Sequence, residues 1–330
     1  MTKRYEVVGI GNAVVDVISQ TDDSFLDHMG ISKGIMQLVE RDRGQTLYAA
    51  MSERQQIAGG SVANTLAGLG NMGRSTAFVG RVADDALGLF YEEALTKGGT
   101  AFPNPPVASA DLPTSRSMIF VTPDGERSMN TYLGISSEVG PEDVDTSVVA
   151  DSAILFLEGY LYDKDQGKQA FEAAAKAIHQ GGGQAGIALS DPFCVDRHRT
   201  DFRKLVGGQL DYVIGNQHEF SALYQTEQLE DALAQAAAEC ALVVCTRSGD
   251  DVVIIRGTER VEVPVQKVVP VDATGAGDQF AAGFLNGLSL GTSLEVAGRM
   301  GCIAGAEVIS HIGARPEANL RAMFEREGLI

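Results

Sequence analysis

The sequence predicts an α/β protein: a three-layer α/β/α core around a mostly parallel sheet, with a small β-sheet lid attached. Two observations lead to this prediction. Apolar, β-rich runs alternate with helical patterns over most of the 330 residues, as they do where helices join parallel strands. Two other stretches contain strand patterns with no helical pattern between them, which indicates a small separate sheet.

Six apolar runs are the predicted strands of the core sheet. They are Tyr5–Ile10, Thr76–Val79, Ala153–Leu157, Gln184–Leu189, Tyr212–Ile214 and Leu242–Thr246. The helical patterns between them are Ser61–Gly70, Leu87–Lys97, Lys168–Gln180 and Leu229–Glu239. Because strands and helices alternate, we expect helices on both faces of the sheet.

A hairpin and two helices rich in small residues are predicted in the last hundred residues. Their bounds are Val252–Arg256 with Arg260–Val265, Gly277–Leu290 and Ser293–Ile309. Thr292 and Glu295 fit a capping box at the start of the second helix. Pro316 is expected to open a final amphipathic helix.

The lid is predicted from Val14–Ser19 with Gly34–Val39, and from Ser115–Thr131 with a turn at Pro123–Gly125. A small sheet of this kind commonly covers a ligand site, and an ordinary β-excursion without motion fits the same pattern. The predicted division places 14–40 and 112–136 in the lid, and 1–13, 41–111 and 137–330 in the α/β core.

Composition disfavours several classes of partner. The formal net charge of −18 disfavours a broad nucleic-acid surface or a polybasic membrane patch. We see no membrane-spanning pattern and no signal peptide. The cysteines lack metal-site spacing, so we expect buried, reduced thiols and a cytoplasmic protein; they are Cys194, Cys240, Cys245 and Cys302.

The first predicted strand runs into Gly9 and Gly11, which resembles the start of a dinucleotide fingerprint. That fingerprint needs a third glycine where this chain has Val14, followed by a helix. The residues after Val14 alternate like a strand instead, so a dehydrogenase is disfavoured. Asp16 in this run is either the solvent side of the strand or an acceptor for ligand hydroxyls.

The segment Val271–Gly283 carries the strongest chemical signal. A strand pattern ends near Val271, a glycine-rich turn follows, and Asp278 falls in the first turn of a helix. Backbone N–H groups at a helix start bind anions, and a carboxylate beside them can take the proton of an attacking hydroxyl. A capped helix without a ligand is the alternative interpretation. The chain contains no Walker motif.

Four motifs together resemble the ribokinase-like (PfkB) family of carbohydrate and nucleoside kinases. The resemblance runs from about residue 5 to about residue 320. The motifs are Asp272–Asp278, Gly59–Asn64, Gly11-Asn12 followed by Asp16, and Asn216 with Glu219. The resemblance implies a ribokinase-like fold and phosphoryl transfer from ATP to a hydroxyl group.

The resemblance also implies roles for individual residues. Asp278 would be the catalytic base, and Gly275, Ala276 and Gly277 would form an anion hole for the transferring phosphate. The implied substrate-binding residues are Asp16, Gly59, Gly60 and Asn64. The implied ATP-binding residues are Thr246, Gly249, Thr274 and Asn216.

Cations are implied in the same way. Asn216 and Glu219 would hold the water shell of Mg²⁺, although a helix cap with Glu219 at its third position fits these residues equally well. Family members often bind a monovalent cation such as K⁺ near the anion hole. Asp272 and the loop Ile312–Ala314 are the expected carriers in this chain.

Several details resemble the adenosine kinases of the family more than its ribokinases or fructokinases. They are Gly125–Ser128, with Arg127 placed to reach a phosphate, Lys33–Leu38 and Ser190–Phe193. Tyr160 and Val14 are candidates for an apolar slot that holds a base, with core packing as the alternative.

We therefore expect ATP- and Mg²⁺-dependent phosphorylation of the 5′-hydroxyl of a ribonucleoside, with adenosine as the preferred substrate. The alternatives are a sugar kinase of the same family, acting on ribose, fructose or a keto-sugar acid, and a non-catalytic nucleotide-binding regulator. Either a monomer or a homodimer is compatible with the sequence.

Overall fold

The computed structural model describes residues 3–330. Its strands are β1 (Tyr5–Ile10), β2 (Val14–Gln20), β3 (Met36–Leu38), β4 (Gln55–Gly59), β5 (Thr76–Val79), β6 (Thr100–Ala101), β7 (Ser115–Val121), β8 (Arg127–Tyr132), β9 (Ser152–Glu158), β10 (Gln184–Ala188), β11 (Tyr212–Asn216), β12 (Leu242–Arg247), β13 (Asp250–Arg256) and β14 (Glu259–Val263).

The α-helices alternate with these strands over most of the chain. They are α1 (Asp23–Met29), α2 (Arg41–Ala50), α3 (Ser61–Asn71), α4 (Ala86–Lys97), α5 (Thr146–Ala150), α6 (Asp165–Gln180), α7 (Pro192–Gly208), α8 (Gln217–Tyr224), α9 (Leu229–Glu239), α10 (Ala276–Ser289), α11 (Leu294–Val308) and α12 (Leu320–Arg326). Short 3-10 helices cover Gly134–Glu138, Pro141–Asp143 and Gly159–Asp163.

Nine strands form the large sheet, in the order β14-β13-β12-β11-β10-β9-β1-β5-β6. Every neighbouring pair is parallel except β12–β13 and β13–β14, and the second of these pairs is the predicted antiparallel hairpin at one edge. Val7 of β1 lies opposite Thr76 of β5 and Ile154 of β9. The predicted mostly parallel sheet is confirmed.

Helices cover both faces of this sheet because successive strand residues point to opposite sides. Val7 packs into the apolar cluster under α3, α10 and α11, whereas its neighbour Val8 packs into the cluster under α6, α7, α8 and α9. Both residues are fully buried. The result is the predicted three-layer core, and all four cysteines are buried in it.

The small sheet has the order β3-β8-β7-β2-β4. β1 continues through Gly11–Ala13 directly into β2 of this sheet, so Gly9 and Gly11 do not begin a strand-to-helix dinucleotide turn. The predicted division is wrong for β4, because Gln55–Gly59 pairs with β2 although it falls within 41–111. Its two polar residues at the start conceal the strand pattern, and only the pairing reveals it.

A helix, α1, interrupts the stretch that the sequence suggested was free of helices. Asp22 caps it by accepting a hydrogen bond from the Phe25 backbone N–H, and Gly30 ends it at φ +61°. The helix has seven residues and buries only Leu26 among them, which is too little for a helical period to show in the sequence.

Two predicted helix starts are also wrong. The cap of α11 is Ser293, whose side chain accepts from the Val296 N–H, while the Thr292 hydroxyl donates to the Gly287 carbonyl. The last helix begins four residues after Pro316 because the Glu307 carboxylate accepts the backbone N–H groups of 317 and 318. These side-chain bonds replace the helical ones that the local sequence favours.

Among the described residues, 3–330, no helix combines the length and the apolar character needed to cross a membrane.

Candidate active site

A cavity of about 790 Å³ lies where the small sheet faces the carboxyl ends of the parallel strands. This edge is where open α/β sheets bind ligands, because the loops that follow the strands converge there. From the small sheet, the wall includes Val14, Asp16, Met36 and Leu38; from the strand ends, it includes Glu158, Asn216 and Thr246. The glycine-rich start of α10 forms the floor between these two walls.

Asp278, in the first turn of α10, is held by side chains of α3. The Ser61 hydroxyl donates to Asp278 Oδ1 at 2.7 Å, and Asn64 Nδ2 donates to Oδ2 at 3.1 Å. The Thr65 hydroxyl donates to the Asp278 carbonyl at 3.1 Å. Loss of solvation on the cavity wall raises the pKa of Asp278 to about 6, although both side-chain bonds favour the ionised form.

The loop before α10 ends in a glycine with left-handed backbone geometry. Gly275 is the cap residue at φ +81°, a left-handed conformation that glycine adopts without strain. A Cβ on Gly275 would lie 2.6 Å from the Ala314 Cα, so the backbone loop packs closely there. Gly275, Ala276 and Gly277 all line the cavity, and their N–H groups belong to the positive end of the helix.

Gln279 connects this loop to its neighbours. It is fully buried, and its Nε2 donates to the carbonyls of Asn64, at 2.9 Å, and Ala314, at 3.0 Å. α3, α10 and the loop before α12 therefore hold one another in place around Asp278.

Asp16 reaches the cavity from β2, close to Asp278. Desolvation raises the pKa of Asp16 to about 6; Arg127 and Arg315 oppose that rise, and the charge of Asp278 adds to it. The opposing cations favour the ionised carboxylate, which is a hydrogen-bond acceptor for a hydroxyl group. The structure thus brings Asp16 and Asp278 to one cavity although 262 positions separate them in the sequence.

The two glycines between β4 and α3 make room for this arrangement. A Cβ on Gly59 would lie 2.5 Å from Asp16 Oδ2, and a Cβ on Gly60 would lie 2.2 Å from the Asn12 carbonyl. Gly60 also has φ +99°. Gly60 lines the cavity as predicted, whereas Gly59 lies behind the Asp16 carboxylate and is not part of the cavity wall.

The structure adds Glu158 to the site, a residue that the sequence analysis missed. It is 1% exposed at the end of β9, and its Oε1 accepts from Asn12 N at 2.8 Å and from Asn12 Nδ2 at 2.7 Å. Burial raises its pKa to about 7. An acid directly after the apolar run Ala153–Leu157 was the available signal.

Arg315 is the second residue that was missed. Its Nε donates to Asn64 Oδ1 at 3.4 Å, which turns the Asn64 amide so that Nδ2 faces Asp278. Arg315 is near Asp16, and its charge lowers the pKa of that carboxyl. Nothing in the sequence around Arg315 distinguishes it from a surface arginine.

Asn216 and Glu219 form a capping box at the start of α8. Asn216 Oδ1 accepts the backbone N–H groups of 218 and 219, and Glu219 accepts from Asn216 N at 2.8 Å and from Nδ2 at 2.7 Å. Both residues line the cavity. Burial raises the pKa of Glu219 to about 7. Protein N–H groups already bond to both Glu219 carboxylate oxygens and to Asn216 Oδ1. The lone pairs that remain therefore suit contacts with water molecules around a cation better than direct ligation of it.

The other predicted ATP residues divide into two groups. Thr246 and Thr274 line the cavity. Gly249 lies in the turn between β12 and β13 and is not part of the cavity wall.

Tyr160 and Val14, the predicted base-slot residues, both line the cavity, and the Tyr160 hydroxyl donates to the Ser190 carbonyl at 3.2 Å. Phe193 also lines it, with 71% of the residue exposed. In the sequence, Phe193 stands out only as the last residue of the motif Ser190–Phe193. Arg127 lies outside the cavity wall and forms an ion pair with Asp272.

A mostly parallel α/β sheet, with a glycine-rich helix start at its carboxyl edge and a carboxylate beside it, is typical of a phosphotransferase that acts on hydroxyl groups. The sequence model of the pfkB family carbohydrate kinases matches residues 29–320. The chain therefore belongs to that family, whose kinases use ATP, and the predicted family and fold class are confirmed.

Solved structures agree with this assignment. The chain is 44% identical to a probable sugar kinase from Rhizobium etli CFN 42, with a TM-score of 0.91 over 99% of this chain and 100% of that one. It is also 44% identical to the adenosine kinase of Sinorhizobium meliloti, with a TM-score of 0.89 over 98% and 99% of the two chains. Among curated proteins, adenosine kinase 1 of Arabidopsis thaliana is 26% identical over 93% of this chain and 94% of its own length.

Proposed function

We propose that this kinase transfers the γ-phosphoryl group of ATP to the 5′-hydroxyl of a ribonucleoside, with adenosine as its preferred substrate. One observation carries the proposal: the cavity wall combines the carboxylates Asp16 and Asp278 with the apolar side chains of Met36, Leu38 and Phe193, and two strands separate β3 from β2 in the small sheet. A ribose needs the first of these environments and a base needs the second.

In this mechanism, Asp278 accepts the proton of the 5′-hydroxyl while the oxygen attacks the γ-phosphorus of ATP. The bond from that phosphorus to the bridging oxygen breaks, and ADP leaves. The N–H groups of 275–277 stabilise the charge on the transferring group. Asp16 and Asn64 hold the ribose hydroxyls so that the attacking oxygen faces Asp278.

Mg²⁺ would be held through its water shell by Asn216 and Glu219, and when bound it neutralises charge on the phosphates. The chain's own contribution at this point is the capping box, which fixes both side chains on the cavity wall. Thr246 and Thr274 line the same cavity and would contact the nucleotide.

A panel of acceptors tests the proposed substrate. Release of ADP is measured with adenosine, other ribonucleosides, ribose and fructose at matched concentrations. We expect kcat/KM for adenosine to exceed that for ribose by about 100-fold, because burial of the base adds binding energy. A higher kcat/KM for a free sugar would overturn the proposal. The absence of ADP release with every acceptor would instead support the non-catalytic regulator.

A sugar kinase is the second candidate, and Glu158 favours it. This buried acid lines the cavity beside Asn12 and the start of α3. With a pKa raised to about 7, it is partly protonated near neutrality. The protonated form can donate a hydrogen bond to a sugar hydroxyl, and the ionised form can accept one from it. A free sugar has no base to contact the apolar side chains of Met36, Leu38 and Phe193, so we place this candidate second.

Phe193→Ala tests the base slot directly. We expect KM for adenosine to rise about tenfold with kcat nearly unchanged, because stacking of a base on an aromatic ring contributes about 1–3 kcal/mol. Steady-state kinetics with adenosine and ribose measure the effect. Phe193→Tyr is the conservative control and should keep KM near that of the wild type. An equal rise in KM for ribose would contradict a base-specific role.

The pH–rate profile tests the state of Asp278. Since the base must be ionised and its pKa is about 6, kcat/KM should fall as the pH drops through that value. Ser61→Ala removes a hydrogen bond to the ionised carboxylate, so the pKa of Asp278 should rise and the acidic limb should move to higher pH. Initial rates across the pH range give the midpoint of the limb.

Ser24→Ala is the matched control for this measurement. Its hydroxyl donates to the exposed Asp22 carboxylate at 2.8 Å, far from the cavity, so its loss should leave the limb in place. An acidic limb that stays unmoved in Ser61→Ala, or moves to lower pH, would show that Asp278 is not the titrating base.

A further inference from the structure

An ion pair connects the small sheet to the loop that precedes the anion site. The Arg127 guanidinium, on β8, contacts the Asp272 carboxylate through Nη1. The two side chains are only 11% and 8% exposed. A carboxylate so enclosed needs a compensating positive charge, because burial of an unpaired charge is costly.

The rest of the Asp272 carboxylate is already occupied. Its Oδ1 accepts from Thr274 N at 3.0 Å, and its Oδ2, which contacts Arg127, also accepts from Gly313 N at 2.9 Å. The Ala314 carbonyl, another expected ligand, accepts from Gln279 at 3.0 Å. Of the groups that were expected to carry a monovalent cation, the Asp272 carboxylate and the Ala314 carbonyl are therefore engaged within the protein.

A K⁺ ion needs several oxygen atoms to replace its water, and it is repelled by a neighbouring guanidinium. In this conformation, Asp272 and the loop Ile312–Ala314 do not fit a bound monovalent cation. The structure instead places a cation of the chain itself at the same carboxylate.

We propose that Arg127 takes the place of a monovalent cation at Asp272, so that phosphoryl transfer by this kinase does not require K⁺. Asp272 joins the backbone at Thr274, next to Gly275, to the loop at Gly313. The guanidinium neutralises the charge that this bridge carries and so keeps the anion loop in its binding conformation.

Because Arg127 is on the small sheet, its ion pair with Asp272 depends on where that sheet lies. A dissolved cation could bind Asp272 whatever the position of the small sheet. Arg127 can contact Asp272 only while β8 lies against the loop. The anion loop therefore obtains its counter-charge from the same sheet that carries Asp16 into the cavity.

The first measurement compares the wild-type rate in KCl and in tetramethylammonium chloride at equal ionic strength. We expect the ratio of the two kcat values to be close to one. The inference requires phosphoryl transfer to some hydroxyl, not to adenosine in particular, so the acceptor with the highest rate is used. A wild-type rate more than about fivefold higher in KCl would overturn the proposal.

The second measurement uses Arg127→Gln, which removes the charge and leaves Asp272 open to a cation. This variant should lose activity in tetramethylammonium chloride, and KCl should restore it by at least about fivefold with saturation. Arg127→Lys keeps a positive charge, so its ratio of kcat in KCl to kcat in tetramethylammonium chloride should stay closer to that of the wild type. A ratio near one in Arg127→Gln would contradict the replacement of a cation by Arg127.

Thermal unfolding supplies a readout that needs no substrate. KCl should raise Tm of Arg127→Gln relative to tetramethylammonium chloride, since a ligand that binds only the folded state stabilises it. Arg116→Gln is the matched control, because Arg116 is on the same sheet but stacks on Tyr48. Its Tm should not respond to K⁺, and an equal response in both variants would overturn the proposal even if no acceptor were found.

Discussion

Replacing Asp278 by asparagine is expected to lower kcat by about 1,000-fold, within the usual range for loss of a positioned proton acceptor. Asparagine has nearly the shape of aspartate and can still accept a hydrogen bond from Ser61, but it cannot take a proton from the attacking hydroxyl. KM for the nucleoside should change little, because Asp16 and Asn64 remain. Single-turnover ADP formation and equilibrium binding of adenosine measure the two effects.

The surface variant Asp165→Asn is the control for this experiment. The Asp165 side chain is 88% exposed at the start of α6, and its removal should leave kcat at the wild-type value. Turnover of Asp278→Asn within about tenfold of the wild type would contradict the proposed role of Asp278 as the base.

Gly275→Ala is expected to lower kcat by about 100-fold, the effect of losing one well-placed donor to the developing charge. The residue stands at φ +81°, which strains any L side chain, and its Cβ would lie 2.6 Å from the Ala314 Cα. The loop must shift to accept the methyl group, which moves N–H groups away from the transferring phosphate. The rate of ADP release and Tm are measured together, because the same strain destabilises the fold.

Gly208→Ala is the matched control. It lies at the end of α7, has no atom within 4 Å of the added Cβ and is remote from the cavity. Both its kcat and its Tm should stay near the wild-type values. If Gly275→Ala keeps full kcat, then the backbone at 275 does not hold the transferring group.

The parts of this site that the sequence predicted share one property: their chemistry is encoded within a few neighbouring residues. The turn at Gly275 and the acid at Asp278 lie three positions apart, and a glycine pair before a helix needs no partner to be recognised. The core strands were predicted for the same reason, because a strand buried on both faces is apolar throughout.

The errors also share a cause. β4 begins with two polar residues and is a strand only because β2 lies beside it. The final helix starts late because Glu307, ten positions before 317, captures two backbone donors. In each case, a contact with a distant segment overrides the local pattern.

The role of Arg127 is a further case in which the local sequence does not show which distant residue a side chain contacts. From the sequence, Arg127 in the motif Gly125–Ser128 of the lid was expected to reach a phosphate. In the structure, it pairs with Asp272, 145 positions away, which no local pattern could show. Whether a charged side chain faces a ligand or another residue depends on what the fold places opposite it.

The sequence by itself determined the family and the α/β architecture, and it singled out the glycine-rich turn before α10 and the acid beside it, because short motifs and strand periods carry that information. Only the tertiary structure decided which residues surround that acid. Asn64 donates to Asp278 across 214 positions, Arg315 orients Asn64, and Glu158 enters the cavity from the end of a core strand. These contacts join distant segments, and their distances are set by how α3, α10, the end of β9 and the loop before α12 pack together, which the spacing of residues along the chain does not record.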